Sequence, residues 1–278
     1  MAGLIDNMRF VLQQQSADVA NNTLRIVLKE LLQSYTLDFI YNHNKYMLLN
    51  FYGGTCLHVV YDLNRLSEDI DLDNSLEIPI ENLEQDVINY FTYQIGYAAL
   101  STKTQIGSNG VYRLTLKFPI LYDLGLSNHE NEGLHLKIEI SPQQQIYTLQ
   151  KTPIFLFGRS FVASHFSLET MMAGKMIACL ERNFQHGKSG VMIKGRDFYD
   201  LLWFMQKGII PLEEKLEKDG RESYSTVTAM EQLLTKIKTI KRRELAIDLL
   251  PLFKESSFIE AWLDHFQENF QRFSTQYL

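Results

Sequence analysis

Tyr52-Gly53-Gly54-Thr55-Cys56-Leu57-His58, followed by Asp69-Ile70-Asp71-Leu72-Asp73, is the stretch whose reading decides the fold. The second run alternates acidic and apolar residues with period two, the pattern of a strand with one buried face. The first joins the apolar run 46–51, read as a strand, to residues 55–61, read as a short helix with Leu57, Val60 and Tyr61 on one side. Residues i and i+2 of a strand share a face, so Asp69 and Asp71 present two carboxylates side by side. Such a pair repels unless a cation compensates, and Mg²⁺ binds one or two carboxylates together with substrate phosphates. Gly53 and Gly54 let backbone N–H groups approach a phosphate at the positive end of a helix. Taken singly, an Asp-x-Asp pair is more often a solvated strand face than a metal site, and a glycine pair more often a turn than a phosphate site. The order strand, Gly-Gly, helix, loop, strand is what sets this stretch apart.

Outward from it, residues 1–45 read as helical, with Leu24, Val27, Leu28, Leu31 and Leu32 at three-four spacing. Residues 81–95 read as an amphipathic helix through Leu83, Val87, Phe91 and Ile95. Strands are predicted over 99–106, 111–118 and 134–141. After the run 153–158 the texture turns helical: Ser167 caps a helix to about Arg182, another starts near Lys194, and further helices cover 226–247 and 256–273. The predicted class is α+β, a mixed sheet flanked by helices over residues 1–160, followed by a helical domain over 161–278. The length of 278 residues agrees with about two domains at roughly 150 residues each.

Three more positions are candidates for chemistry. Glu139 lies on the outward face of 134–141, where it supplies a third carboxylate if its strand neighbours the Asp-x-Asp strand, or stands as a solvated neighbour of Lys137. Lys175 sits in a helix otherwise rich in methionine and leucine; it either reaches solvent along its stem or neutralises phosphate charge. Asp197, near the start of a helix, is explained by capping or macrodipole stabilisation alone, while Phe198, Leu201, Leu202 and Met205 form a core stripe.

Composition narrows the function classes. Twenty-seven Lys and Arg against 33 Asp and Glu give a net charge of −6, which argues against a non-specific nucleic-acid or anionic-membrane binder. With 45% hydrophobic and 22% charged residues the chain is globular and not disordered. Cys56 and Cys179 form no metal or disulfide spacing, which fits a reducing cytoplasm. Neither a signal peptide nor an apolar run of roughly 20 residues is present, so a cytoplasmic protein without membrane attachment is expected. The histidines show no HExxH spacing, and no Gly-x-Ser-x-Gly elbow or P-loop occurs.

Residues 52–58 followed by Asn64-Arg-Leu-Ser-Glu-Asp-Ile-Asp-Leu72 resemble the opening motif of the AbiEii/AbiGii nucleotidyltransferase-like toxins, a GGT-x-L segment and then R-x-S-x-D-x-D. Lys175-Met-Ile-Ala-Cys-Leu-Glu-Arg182 is similar to that family's lysine helix, and Lys194-Gly-Arg-Asp-Phe-Tyr-Asp-Leu201 to its K-x-R-D-x-Y-D-L motif. The blocks stand in the family's order and span residues 52–201. Cys56 departs from it, at a position usually small or apolar.

The resemblance implies a DNA-polymerase-β-like nucleotidyltransferase core and a helical C-terminal part. It implies transfer of a nucleoside monophosphate from an NTP, in a toxin–antitoxin or phage-defence setting, to an RNA acceptor such as the tRNA 3′ end. Protein or small-molecule acceptors, or a non-catalytic NTP-binding module, are the alternatives. It further implies that Ser67 and Asp69 are active-site residues, that Asp71 completes a pair for Mg²⁺ (or Mn²⁺), with Glu139 as a third ligand, and that Gly53, Gly54, Thr55 and Ser67 cradle the phosphates. Lys175 becomes the phosphate-contacting lysine. Asp197 becomes either a base for the acceptor hydroxyl or the partner that fixes Lys175. A cognate antitoxin is the implied protein partner. Given the acidic net charge, an RNA must dock on a local basic surface, expected at 182–196 and 236–243, the latter holding Lys236, Lys238, Lys241, Arg242 and Arg243 on one predicted helix.

Overall fold

The computed structural model describes residues 3–107, 109–142, 144–182 and 193–278. The chain divides into two compact units, Met1–Gln144 with Gln150–His165, and Gln145–Leu149 with Phe166–Leu278. Part of the segment expected to dock RNA, residues 183–192, lies outside the described residues.

The first unit opens with α1 (Leu4–Gln13) and α2 (Asn21–Asn42), then β1 (Asn50–Tyr52), α3 (Gly53–Tyr61), β2 (Ile70–Asp73) and α4 (Leu83–Asn89). Strands β3 (Ser101–Ile106), β4 (Tyr112–Phe118), β5 (Leu134–Ser141), β6 (Leu149–Leu156) and β7 (Arg159–Phe166) follow. The seven strands form one mixed sheet in the order β3-β4-β5-β2-β1-β7-β6. β2 runs parallel to β5 and antiparallel to β1, while β1 is parallel to β7. Alternation accounts for the buried face: Leu134, Leu136, Ile138 and Ile140 of β5 and Ile70 and Leu72 of β2 are buried, and α2 packs against β5. Leu28, Leu32 and Ile40 of α2 are fully covered. Each such side chain contributes about 1.5–3 kcal/mol of burial free energy.

The sheet corrects the sequence reading in two places. Residues 46–51 are not one strand: Tyr46–Leu48 forms a 3₁₀ turn, and only Asn50–Tyr52 pairs. Tyr46 is buried there with its ring against Phe39 and stacked on His43, whereas Met47 and Leu48 are exposed. Residues 149–166, where no strand is predicted and the helical texture is expected to begin after 158, form the β6–β7 pair. Pro153 reads as a strand breaker, but β6 is the edge of the sheet, where a missing N–H is tolerated. Phe161 and Ala163 of β7 are buried in alternation with exposed Ser160 and Val162, and from Ala163 to Phe166 every side chain is buried.

The second unit is helical: α5 (Leu168–Glu181), α6 (Gly195–Gln206), α7 (Glu213–Lys218), α8 (Thr226–Ile237), α9 (Arg242–Leu249) and α10 (Ser256–Ser274). Ser167 caps α5, its hydroxyl accepting from Thr170 N at 3.3 Å. The helix expected over 226–247 is broken at residues 238–241, so the basic run spans a helix end, a turn and a helix start. Two of its members are engaged within the unit. Lys236 Nζ donates to the carbonyls of Cys179 and Leu180 at 2.6 and 3.1 Å, closing the C-terminus of α5, and Arg242 pairs with Glu260 and Asp264. Lys238, Lys241 and Arg243 are exposed. Among the described residues no helix is long and apolar enough to cross a membrane.

Candidate active site

In the first unit, the glycine pair and the acidic strand are built against each other. Gly53 opens α3 at φ +79, and a Cβ placed on it would lie 2.2 Å from Asp71 Oδ2. A Cβ on Gly54 would meet Arg65 Nη2 at 2.7 Å and Ser67 Oγ at 3.0 Å. Both positions therefore require glycine for space, and Gly53 also for its left-handed backbone. The missing side chains form a cradle in which the Asp71 carboxylate, the Ser67 hydroxyl and the buried Arg65 guanidinium border the first turn of α3. The N–H groups of Gly53, Gly54 and Thr55 lie in that turn, which has no intrahelical acceptors, at the positive end of the helix dipole. Thr55 contributes its backbone only, because its buried hydroxyl donates to the carbonyl of Asp69 and ties α3 to the approach of β2. Gln33 Nε2 holds the Ser67 carbonyl at 2.9 Å.

Register places the remaining groups. Asp71 stands opposite Tyr52 on one side and Glu139 on the other, and Glu139 stands opposite Arg113. One row thus runs Arg113–Glu139–Asp71–Tyr52 across four strands. Arg113 Nε donates to Glu139 Oε1 at 2.6 Å, and the hydrogen bond and charge of Glu139, with a smaller part from Asp69, raise the guanidinium pKa. Burial, then the charges of Asp71, Asp73 and Glu139, push the Tyr52 hydroxyl far above its ordinary value. Burial and Asp71 do the same to the Cys56 thiol. Asp73, the third acid of the strand, is fully buried and accepts from Asn50 Nδ2 at 3.2 Å and Ser75 Oγ at 2.7 Å, so it organises the loop after β2.

Among the described residues no group of three or more His, Cys, Asp and Glu side chains is gathered as a ready metal-binding set. The donors nevertheless fit a hard divalent cation. Asp71 and Glu139 bring like charges to adjacent rungs, their donors are all oxygen, and both side chains are only partly buried.

The second unit holds Lys175 and Asp197. Lys175 does not run out along the helix surface: its Nζ lies 2.7 Å from Asp197 Oδ1 and 2.7 Å from Asp200 Oδ2, joining α5 to α6. Arg182 takes the second oxygen of Asp197. Burial by itself would raise the Asp197 carboxyl, but Lys175, Arg182 and Lys194 together hold it well below the usual carboxylate range. Spacing alone did not single out Arg113, Tyr52, Arg65, Arg182 or Asp200. Asp200 carried a signal, since it lies one helical turn from Asp197 on the same face.

Two solved structures from Helicobacter pylori are similar to this chain. JHP933 is 18% identical with a TM-score of 0.48, covering 91% of this chain and 90% of its own. A protein described as a candidate nucleotidyltransferase is 18% identical with a TM-score of 0.47, covering 90% of this chain and 91% of its own. No curated protein matches. The family profile described as nucleotidyl transferase AbiEii toxin, type IV toxin–antitoxin system, matches residues 44–278, taking in both the glycine–aspartate cradle and the Lys175–Asp197 pair, and the chain belongs to that family.

Proposed function

We propose that this protein is a cytoplasmic toxin that transfers a nucleoside monophosphate from an NTP to a hydroxyl of an RNA acceptor, such as the tRNA 3′ end, in a phage-defence setting with a cognate antitoxin. The observation that carries the reading is the approach of Gly53 to Asp71, a first helical turn kept bare of side chains beside a carboxylate. That arrangement suits a triphosphate, whose oxygens accept from backbone N–H groups, with the Ser67 hydroxyl as a further donor.

In the reaction the acceptor hydroxyl oxygen forms a bond to the α-phosphorus, the bond from that phosphorus to the bridging β-oxygen breaks, and pyrophosphate leaves with the electron pair. The hydroxyl proton passes to a carboxylate of the Asp69, Asp71 and Glu139 face. Asp69 and Asp71 would hold Mg²⁺ or Mn²⁺, with Glu139 as the third oxygen donor; bound there, the cation supplies charge neutralisation for the phosphates. Lys175 is assigned the triphosphate charge. Asp197 is assigned the positioning of Lys175, because both its oxygens are ion-paired and its carboxylate is held in the ionised form, which makes it a weak base.

The test is incubation with each α-labelled NTP and, separately, total tRNA, protein or small-molecule acceptors. Label migrating with tRNA supports the reading. Label on protein or a small molecule keeps the chemistry and overturns the acceptor. No transfer from any NTP, with wild type folded and Mg²⁺ or Mn²⁺ present, overturns the activity.

A further inference from the structure

In the first unit, residues 62–69 carry Arg65 and Ser67 from the end of α3 to the start of β2, and side chains of α2 and α3 tie this loop down. Gln33 Nε2 donates to the Ser67 carbonyl at 2.9 Å, Lys29 Nζ lies 2.6 Å from Glu68 Oε2, and the Thr55 hydroxyl donates to the Asp69 carbonyl. A further tie is His58 of α3, whose Nδ1 lies 2.7 Å from the Leu63 carbonyl oxygen and whose Nε2 lies 2.7 Å from Glu30 Oε1. Glu30 shares a face of α2 with Gln33, three residues on. Leu63 is a firm anchor: the chain turns at Asp62 with φ 59, and Leu63 N donates to the Leu57 carbonyl at 3.0 Å. From there the loop delivers Arg65 and Ser67 to the space beside Gly54.

A carbonyl oxygen only accepts, as does an ionised carboxylate, and a neutral imidazole has a single N–H. The imidazolium alone therefore donates to both partners; in the neutral ring one contact sets lone pair against lone pair. Of these tying side chains, histidine is the one whose ordinary titration lies near neutral pH. Burial on its own would lower His58, but the hydrogen bond and charge of Glu30, then the Leu63 carbonyl, raise it above its ordinary value against the charge of Arg65. Glu30 from α2 and Arg65 from the loop are the charged groups whose fields reach the ring.

We infer that the His58 imidazolium is a positioning group for nucleotidyl transfer, latching the loop of Arg65 and Ser67 to α2, and that loss of its proton loosens the loop beside the cradle. The role in transfer rests on the proposed function; the latch itself stands on the contacts of His58. The direction of the shift fixes the sign. The tie is fully present below about pH 6.5, the ordinary histidine value, and is lost as pH rises through the folded value.

Glu30→Gln separates the latch from general stability. Its amide N–H donates to Nε2 while Nδ1–H of the neutral ring keeps the Leu63 carbonyl, so both contacts survive without the extra proton. Three measurements on the full chain, wild type and Glu30→Gln, from about pH 6 to about pH 9, span the titration. By NMR, one of the seven histidine rings should titrate above the ordinary value in wild type and fall in Glu30→Gln. Hydrogen-exchange protection of residues 62–69 should drop about tenfold through that midpoint in wild type and stay flat in Glu30→Gln, since a hydrogen bond to a charged group is lost. Labelled NTP transfer to total tRNA, or to the acceptor class that takes the label, is read as the ratio of Glu30→Gln to wild type. That ratio cancels the pH dependence of metal and acceptor, and it should rise about as much over the same range. No ring shifted between the two proteins, or loop protection that ignores its titration, overturns the latch. Protection that follows the ring with a flat rate ratio overturns the positioning role. Protection that follows the ring, with no transfer from any NTP by wild type, upholds the latch and overturns the proposed function instead.

Discussion

Asp71 and Glu139 stand directly opposite each other on the neighbouring parallel strands β2 and β5, and Glu139 is paired with Arg113. Like charges on facing rungs destabilise a sheet by about 0.2–1 kcal/mol, so the row is arranged at some cost to the fold. Asp71→Asn should abolish NTP transfer while leaving the protein folded, with a cooperative thermal transition. Labelled transfer and thermal denaturation, measured on one preparation, check both. A fully active variant would remove Asp71 from the site.

The same row makes metal dependence readable without turnover. A ligand that binds only the folded state stabilises it by RT ln(1 + [L]/Kd), so millimolar Mg²⁺ should raise the melting temperature of wild type and EDTA should reverse the shift. Asp71→Asn should lose that response. Arg113→Gln should lower the melting temperature without metal by less than about 1 kcal/mol equivalent, since the pair is partly exposed, and should enlarge the gain on adding Mg²⁺, because Glu139 then loses the guanidinium paired with it.

Gly53 is predicted to tolerate no side chain. Gly53→Ala combines a left-handed backbone with a contact of 2.2 Å to Asp71, whereas Gly96→Ala has a similar φ of +74 and nothing within 4 Å. The backbone effect alone costs about 1–3 kcal/mol at such positions. Urea denaturation should place Gly53→Ala below Gly96→Ala, and the difference isolates the close approach. Equal stabilities would mean that Asp71 moves aside freely and that the cradle is not rigid.

The local patterns that carried the site were legible because they are written in single elements. The period-two acids of β2, the glycine pair before α3 and the alternation of 134–141 each occupy one strand or one turn. What eluded the sequence depends on pairing between elements. Nothing local says that Arg113 faces Glu139, because that follows from the register of β4 on β5, and a one-residue slip would put Arg113 on the other face. The β6–β7 pair was hidden for a related reason: Pro153 looks like an end until β6 is known to be an edge. Lys175 read as a surface lysine since its carboxylate partners, Asp197 and Asp200, are on another helix.

Asp197 carries a pH signature that separates structure from catalysis. Its folded pKa is depressed by Lys175, Arg182 and Lys194 against the opposing effect of burial, while unfolded aspartate titrates near 3.9. The stabilisation is thus fully present above about pH 4 and is lost as pH falls through the folded value. Asp197→Asn removes one partner of a buried pair and should cost about 3 kcal/mol at neutral pH. Measured by urea denaturation between pH 2 and 7, the gap between wild type and Asp197→Asn should be flat from pH 7 to about 5 and narrow only below about 4. Lys175→Met should lose activity and stability together, since it removes the ammonium paired with both Asp197 and Asp200. If Asp197→Asn instead kept wild-type stability at every pH and lost only transfer, the carboxylate would be acting on the acceptor, and its role as the partner that positions Lys175 would be withdrawn.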